Sequence, residues 1–122
     1  MVALERLKRR PDFLRVADGR RKWVTPGLIL QTLARAPTDD ACDAIRVGFT
    51  ATRKIGNAVI RNRARRRLRA AAASVMAHHA VAGFDYVLIA RSGTPGRPYA
   101  ALVDDLETAL RRLGTWRDEP HS

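Results

Sequence analysis

The chain has 122 residues and a mass of 13.6 kDa, the size of one domain, and its apolar content of 46% is sufficient for a folded core. No apolar run approaches the roughly 18 residues of a transmembrane helix, and the charged N-terminus lacks the apolar stretch of a signal peptide, so we expect a cytoplasmic protein with no membrane partner. The single cysteine, Cys42, excludes a disulfide framework and a cysteine-built metal site, and the net charge of +11 indicates a polyanionic partner.

The basic residues are concentrated in two stretches of the chain. Arg6 to Lys22 holds eight of the 23 lysines and arginines, and Arg53 to Arg69 holds eight more with no acidic residue among them. Acidic residues instead collect at 39–43 and 104–107, so we expect one strongly positive side. Most of the basic residues are arginines, whose planar fork of donors suits phosphate oxygens and base edges.

The first half of the chain predicts a short helix followed by two strands. Residues 12–17 fit the helix, and Leu28 to Ala34 is an apolar run of strand length. After a predicted loop at Pro37 to Asp43, apolar residues alternate with small or polar ones from Ile45 to Thr52. This alternation is typical of a strand with one buried side.

The second half predicts a long helix, a strand and a final helix. Asn57 to His79 is amphipathic, with an apolar stripe formed by Ile60, Ala64, Leu68, Ala71, Val75 and Met76. Phe84 to Ala90 is typical of a buried strand and is followed by a Gly/Pro-rich turn at 92–98. Leucines and alanine from Leu102 onward recur at helical spacing until Gly114, which is placed to end the helix.

The long helix has a strongly basic side. An advance of about 100° per residue places a set of polar residues opposite the apolar stripe, and we call this set the arginine face: Asn62, Arg65, Arg66 and Arg69. Three more arginines flank it: Arg61, Arg63 and Arg67. A solvated surface is the alternative, but such surfaces usually mix charge signs, so we interpret this one as a nucleic-acid interface.

The segment Lys54 to Arg69, with the sequence KIGNAVIRNRARRRLR, resembles the signature of the bacterial ribonuclease P protein subunit. The Lys-x-Gly-Asn-Ala-Val opening, the Arg-Asn-Arg triplet and the downstream basic positions occur together and in order, which makes the match specific. The resemblance extends to residues 7–8, 12–13, 46–49 and 85–91, so that it covers most of the chain.

The resemblance implies an α+β fold, a small two-layer sandwich of helices against a mixed, mostly antiparallel sheet. It also implies a left-handed βαβ crossover through the arginine-rich helix, as in the second domain of ribosomal protein S5; parallel crossovers are otherwise right-handed in about 98% of cases. We expect a single RNA-binding domain over residues 1–122, with an ordered core at 7–114 and a flexible tail at 115–122.

By the same resemblance, the protein assists a catalytic RNA that removes the 5′ leader of precursor tRNA. The expected partners are this RNA subunit, in a 1:1 complex with a protein monomer, and the precursor tRNA. The expected RNA-subunit-binding residues are Arg53, Lys54, Asn57, Arg61, Asn62, Arg63, Arg65, Arg66 and Arg69. No catalytic residue, metal ligand or cofactor is expected on the protein, and Mg²⁺ is expected to be held by the RNA.

The resemblance further implies that the single-stranded leader lies between the sheet and the first helix, where bases stack on aromatic rings. Phe13 matches one such ring, with a core phenylalanine as the other interpretation. Ala17 and Gln31 stand where the family often has further aromatics, so stacking is expected to be weaker or carried differently. The expected leader-binding residues are Phe13, Gln31, Arg46, Thr50 and Thr52.

Other functional classes stay open on the sequence alone. A DNA-binding or general RNA-binding protein could also present a basic helix, although no leucine heptads follow Arg69 and no helix-turn-helix is evident. A self-sufficient nuclease would need carboxylates near the arginine face to hold two metal ions. Adjacent His78 and His79 cannot share a metal as an i, i+4 pair does, and Trp23 and Trp116 could be core or RNA-facing.

Overall fold

The structure is a computed structural model that describes residues 3–36 and 44–121, so the predicted loop at 37–43 and Cys42 lie outside the described residues. The elements in chain order are β1 (Leu4–Arg6), α1 (Arg10–Asp18), β2 (Lys22–Val24), β3 (Leu28–Ala34), β4 (Ile45–Thr50), α2 (Ala58–His79), β5 (Phe84–Ala90) and α3 (Tyr99–Arg112). Short 3-10 turns lie at Arg53–Ile55 and Thr94–Gly96. The predicted strands and helices are all present within a few residues of their expected bounds.

The five strands form one sheet in the order β1-β4-β5-β3-β2. Strand β4 is parallel to both β1 and β5, whereas β3 is antiparallel to both β5 and β2. The mixed sheet is therefore confirmed, but its pairings are evenly divided rather than mostly antiparallel, because β1, a strand too short to be predicted, adds a second parallel pair. Helix α2 connects β4 to the parallel β5; the hand of this crossover stays a prediction of the resemblance.

The main core lies between one face of the sheet and helices α2 and α3. Leu30 and Leu88 of the sheet, Leu68 of α2 and Leu106 of α3 are all fully buried in it. The predicted stripe of α2 is buried from Ala64 to Met76. Its first member, Ile60, is instead 36% exposed and lies beside Gly56, where an added Cβ would approach the Ile60 side chain to 2.9 Å.

Helix α1 lies on the opposite face of the sheet. Val16 is fully buried there against Leu7 and Val87, and the half-buried Phe13 and Leu33 pack around them. Helices α2 and α3 thus form the predicted two-layer sandwich with the sheet, and α1 adds a partial third layer. The α1 side of the sheet is left partly uncovered, which matters for the site described below.

Residues 115–121, part of the tail predicted to be flexible, pack against the end of α2 in the structure. The Trp116 ring stacks on His79 at a centroid distance of 4.2 Å, and the Arg111 guanidinium lies 4.3 Å from the same ring. The backbone N–H of Arg117 donates to the His79 carbonyl at 2.7 Å. Trp116 is therefore a packing residue, whereas Trp23 is 39% exposed.

None of the helices in the described part of the chain is both long and apolar enough to span a bilayer.

Candidate nucleic-acid interface

The arginine-rich helix begins at a side-chain cap. Asn57 has an extended backbone, and its Oδ1 accepts a hydrogen bond from the backbone N–H of Ile60 at 3.0 Å. Such a cap satisfies one of the N–H groups that the first turn of a helix leaves without a partner. We predicted Asn57 as an RNA-binding residue, and in the structure its side-chain oxygen caps the N-terminus of α2.

The arginine face is largely exposed, as predicted. Asn62, Arg66 and Arg69 are exposed, as is the flanking Arg63, while Arg65 is half-buried and donates from Nη2 to Asn62 Oδ1 at 2.6 Å. Within the described ranges, these side chains form no ion pair with any carboxylate. The face therefore keeps its positive charge without internal neutralisation.

Arg67 of the same helix makes hydrogen bonds within the protein. Arg67 donates from Nη1 to the Pro95 carbonyl at 2.7 Å and from Nη2 to the Arg97 carbonyl, and Arg97 in turn pairs with Asp105 of α3. Arg67 thus fixes the turn that follows β5. The helical period placed Arg67 on a flank of the face. Its carbonyl partners are 28 and 30 residues away in the chain, so the sequence around Arg67 does not indicate these contacts.

A second feature of the interface is a cleft on the uncovered part of the sheet. The strand register aligns Gln31, Val87 and Gly48 in one row, and aligns Ile29, Ile89 and Thr50 in the next row toward the carboxyl end of β4 and β5. All three side chains of the second row are half-buried. We call the space between α1 and this second row the cleft.

Phe13 of α1 lies directly on the first row of the sheet. A Cβ added at Gly48 would lie 2.5 Å from both Cε1 and Cζ of Phe13, so this close approach requires glycine. Phe13 is itself only half-buried, so part of the residue is exposed. The structure thus gives Phe13 both the packing contacts and the exposure that the two sequence interpretations require.

The strand that borders the cleft is followed in the chain by the arginine-rich helix. Thr50 ends β4, and the exposed residues Thr52, Arg53 and Lys54 follow it before α2 begins at Ala58. The predicted leader-binding residues at the end of β4 and the predicted RNA-subunit-binding residues at the start of α2 are therefore close together in the chain.

Arg46, a predicted leader-binding residue, pairs with a buried carboxylate. Its Nε donates to Asp85 Oδ1 at 2.7 Å and its Nη2 to Asp85 Oδ2 at 2.6 Å. Arg35 Nη1 donates to Asp85 Oδ1 at 2.8 Å, and Arg15 of α1 also pairs with Asp85. Sequence reasoning missed this group, although an aspartate inside an apolar strand is itself a signal that charged partners lie nearby.

Asp85 is charged at neutral pH despite its burial. Burial alone raises the pKa of this carboxyl, but hydrogen bonds and the charges of Arg46 and Arg35 outweigh that effect, so the pKa of Asp85 lies below its ordinary value. With three arginines around one carboxylate, the group keeps a net positive charge.

Metal ligands and small-molecule pockets are not found among residues 3–36 and 44–121. No group of three or more His, Cys, Asp or Glu is placed there to hold a metal ion, and no pocket is formed. The interface is thus an open, basic surface.

Comparison with known proteins gives one consistent family. The sequence profile of the family described as Ribonuclease P matches residues 1–114. The chain is 59% identical to the ribonuclease P protein component of Paramagnetospirillum magneticum over 111 residues, covering 91% of this chain and 84% of the relative. It is 53% identical to that of Gluconacetobacter diazotrophicus over 109 residues, covering 89% of this chain and 90% of the relative.

Two solved structures share the fold at lower sequence identity. The RNase P protein of Staphylococcus aureus is 24% identical with a TM-score of 0.75, covering 92% of this chain and 97% of that one. The RNase P protein of Thermotoga maritima is 23% identical with a TM-score of 0.70, covering 88% of this chain and 96% of that one.

Proposed function

The chain belongs to the ribonuclease P protein family, and from this membership we propose how its surface assists the 5′ maturation of tRNA. As a ribonuclease P protein subunit, the chain takes part in that endonucleolytic reaction. The arginine face of α2, together with Arg53 and Lys54, binds the catalytic RNA subunit. The cleft beside α1 binds the 5′ leader of the precursor tRNA.

The observation that carries the RNA-subunit assignment is the exposed, internally unneutralised arginine face. Each phosphate that meets one of these guanidinium groups releases condensed counterions, which favours binding and makes it depend on salt. Asn62 adds a neutral donor and acceptor beside Arg65, and the geometry of such a group can discriminate where another charge would not.

The leader assignment is supported by the position of Phe13 at the edge of an uncovered sheet row. Unpaired bases stack on aromatic side chains with little sequence preference, and Ile29 and Ile89 offer half-buried apolar surface in the row next to the one that Phe13 covers. Ala17 supplies no second ring, so Phe13 carries the aromatic contribution alone. Thr50 and Thr52 provide hydroxyl groups along the same cleft.

The protein is an accessory subunit, and the RNA carries the catalytic groups with Mg²⁺ held by RNA phosphates. What supports this is the chemistry of the interface, whose residues are cationic or neutral. The buried carboxylate nearest the cleft, Asp85, is already bound by Arg15, Arg35 and Arg46. The complex contains one protein monomer per RNA and acts in the cytoplasm.

The RNA-subunit assignment is tested by the salt dependence of binding. The double variant Arg66→Ala/Arg69→Ala is compared with Arg111→Ala/Arg112→Ala, which removes the same charge from the end of α3. Each lost phosphate contact lowers the slope of log affinity against log salt by about 0.7–0.9, so the first variant should lose about 1.4–1.8. A slope in Arg66→Ala/Arg69→Ala equal to that of the parent chain would make the arginine face an ordinary solvated surface.

The accessory role is tested with RNA-free protein. Labelled precursor tRNA should stay intact when incubated with the protein and Mg²⁺, and it should be cleaved at the 5′ end once the RNA subunit is added. Accurate cleavage that survives nuclease treatment of the protein would instead identify a self-sufficient enzyme.

A further inference from the structure

Helix α1 has few apolar contacts to hold it on the sheet. It contains nine residues, fewer than the roughly 12–15 at which an isolated helix becomes even marginally stable in water. Its N-cap, Arg9, makes no side-chain capping bond, and Val16 is its one buried residue. The placement of α1 therefore depends on its other tertiary contacts.

One of these contacts is ionic. Arg15 of α1 pairs with Asp85 of β5, whose side chain is fully buried. Arg46 holds the same carboxylate in a bidentate contact from β4. Because Asp85 is bound by Arg46 of β4, by Arg35 just after β3 and by Arg15 of the helix, it joins α1 to the centre of the sheet.

This ion pair lies on the side of α1 that faces away from the cleft. Asp85 and Arg46 share one row of the sheet; Gly48 lies in the next row, and Ile89 lies in the row after that, which the cleft exposes. Asp85 and Ile89 are therefore about 13 Å apart along β5. Residues two apart on a helix point about 200° apart, so Arg15 and Ala17 flank the buried Val16 on opposite sides. Arg15 points toward the Asp85 row, and Ala17 is left on the side of the cleft.

We propose that the Arg15–Asp85 ion pair is a positioning contact for leader binding, because it fixes the height of α1 above the sheet and so the place of the Phe13 ring at the cleft. Phe13 is two residues from Arg15, and its contact with Gly48 leaves no space for even a Cβ. Loss of the ion pair lets α1 tilt, and the ring then leaves the position in which it stacks on a base. This inference rests on the proposed leader-binding function.

The test is a double-mutant cycle in the holoenzyme reconstituted with the RNA subunit. The quantity measured is the leader-dependent gain, defined as the affinity for precursor tRNA with a leader several nucleotides long divided by the affinity for mature tRNA. The variants are Arg15→Ala, Phe13→Ala and the double variant. Arg15→Lys is the conservative variant, and Arg10→Ala is the control, since Arg10 lies exposed on the same helix and forms no ion pair with the described residues.

We expect Arg15→Ala to lower the leader-dependent gain about fivefold, at the lower end of the roughly 5- to 150-fold that one stacked base contributes. Phe13→Ala should lower it at least as much, and the double variant should be no worse than Phe13→Ala alone, because Arg15 acts through the ring. Arg15→Lys should restore part of the gain. Arg10→Ala removes the same charge and should leave the gain unchanged.

Four results would overturn the inference. If the losses from Arg15→Ala and Phe13→Ala multiply, Arg15 meets the leader directly. If Arg15→Ala lowers the affinity for mature tRNA and for the RNA subunit in parallel, its role is only structural. If Phe13→Ala lowers the gain and Arg15→Ala does not, the positioning role is wrong and the leader assignment stands. If Phe13→Ala leaves the gain unchanged, both the positioning role and the leader assignment are wrong.

Discussion

The contact between Phe13 and the sheet can be tested by replacing Gly48 with alanine. The added Cβ would lie 2.5 Å from Cε1 and Cζ of Phe13 and 3.1 Å from the Leu7 Cβ. Carbon atoms in contact normally stay about 3.5–4.0 Å apart, so the ring has to move by about 1 Å or more. Gly48→Ala therefore changes the place of Phe13 without touching the ring itself.

Two opposing effects set the magnitude of this change. Alanine in place of glycine in a strand stabilises the fold by about 0.4–1 kcal/mol, because the unfolded chain has fewer conformations to lose. Overpacking costs typically about 1–3 kcal/mol. Since the half-buried ring of Phe13 can turn toward solvent, we expect the lower part of that range and a net loss of about 0.5–1.5 kcal/mol in the free energy of unfolding.

The assay is urea unfolding of four proteins, the parent chain, Gly48→Ala, Phe13→Ala and the double variant. In the Phe13→Ala background the ring is gone, so Gly48→Ala should be neutral or stabilise by up to about 1 kcal/mol. The sign of the effect therefore depends on the background. An effect of the same sign and size in both backgrounds would refute the packing of Phe13 on Gly48.

Three further changes are expected to separate structural from RNA-binding roles. Asn57→Ala should lower stability in urea unfolding by about 1 kcal/mol through loss of the helix cap, while Asn57→Asp keeps the capping oxygen; unchanged stability with weaker RNA binding would assign the side chain to the RNA instead. Arg67→Met should lower stability by about 1–2 kcal/mol because two carbonyls lose a charged donor, and should leave the salt slope of RNA binding unchanged; a reduced slope would show that Arg67 contacts phosphate. Asp85→Asn should cost about 3–5 kcal/mol at pH 7. The pKa of folded Asp85 is lowered, so the stability that its charge contributes is present above the unfolded pKa of about 3.9 and is lost as pH falls through the folded pKa. The melting temperatures of the parent chain and Asp85→Asn should therefore converge in acid. A difference in melting temperature that stays constant with pH would contradict the charged state of Asp85.

The elements of the fold could be predicted where the sequence carries a period. Helix α2 and strand β4 have clear 3.6- and 2-residue patterns, and their bounds agree with the structure within two residues. The three-residue strands β1 and β2 are too short to show any period. The even division of parallel and antiparallel pairs depends on β1 lying beside β4, a contact between residues about 40 positions apart in the chain.

The candidate site also contains features that the sequence predicts and features that it does not. The exposure of Arg66 and Arg69 follows from helical geometry alone and was predicted. The engagement of Arg46 by Asp85, 39 residues away, and that of Arg67 by the Pro95 carbonyl, 28 residues away, depend on tertiary contacts. A single sequence shows which residues are arginines and which helix face they share, but it does not show which arginines already have partners within the protein.

The arginine face has no carboxylate partners within the described residues, and this links RNA binding to the stability of α2. On a helix, like charges three or four residues apart, such as Arg65 and Arg69, destabilise by about 0.2–0.5 kcal/mol per pair. The helix forms despite this repulsion because its opposite side, from Ala64 to Ala72, is buried against the sheet and α3. Phosphates that neutralise the arginine face remove a repulsion present in the free protein, so an RNA that binds this face also stabilises the helix that carries it.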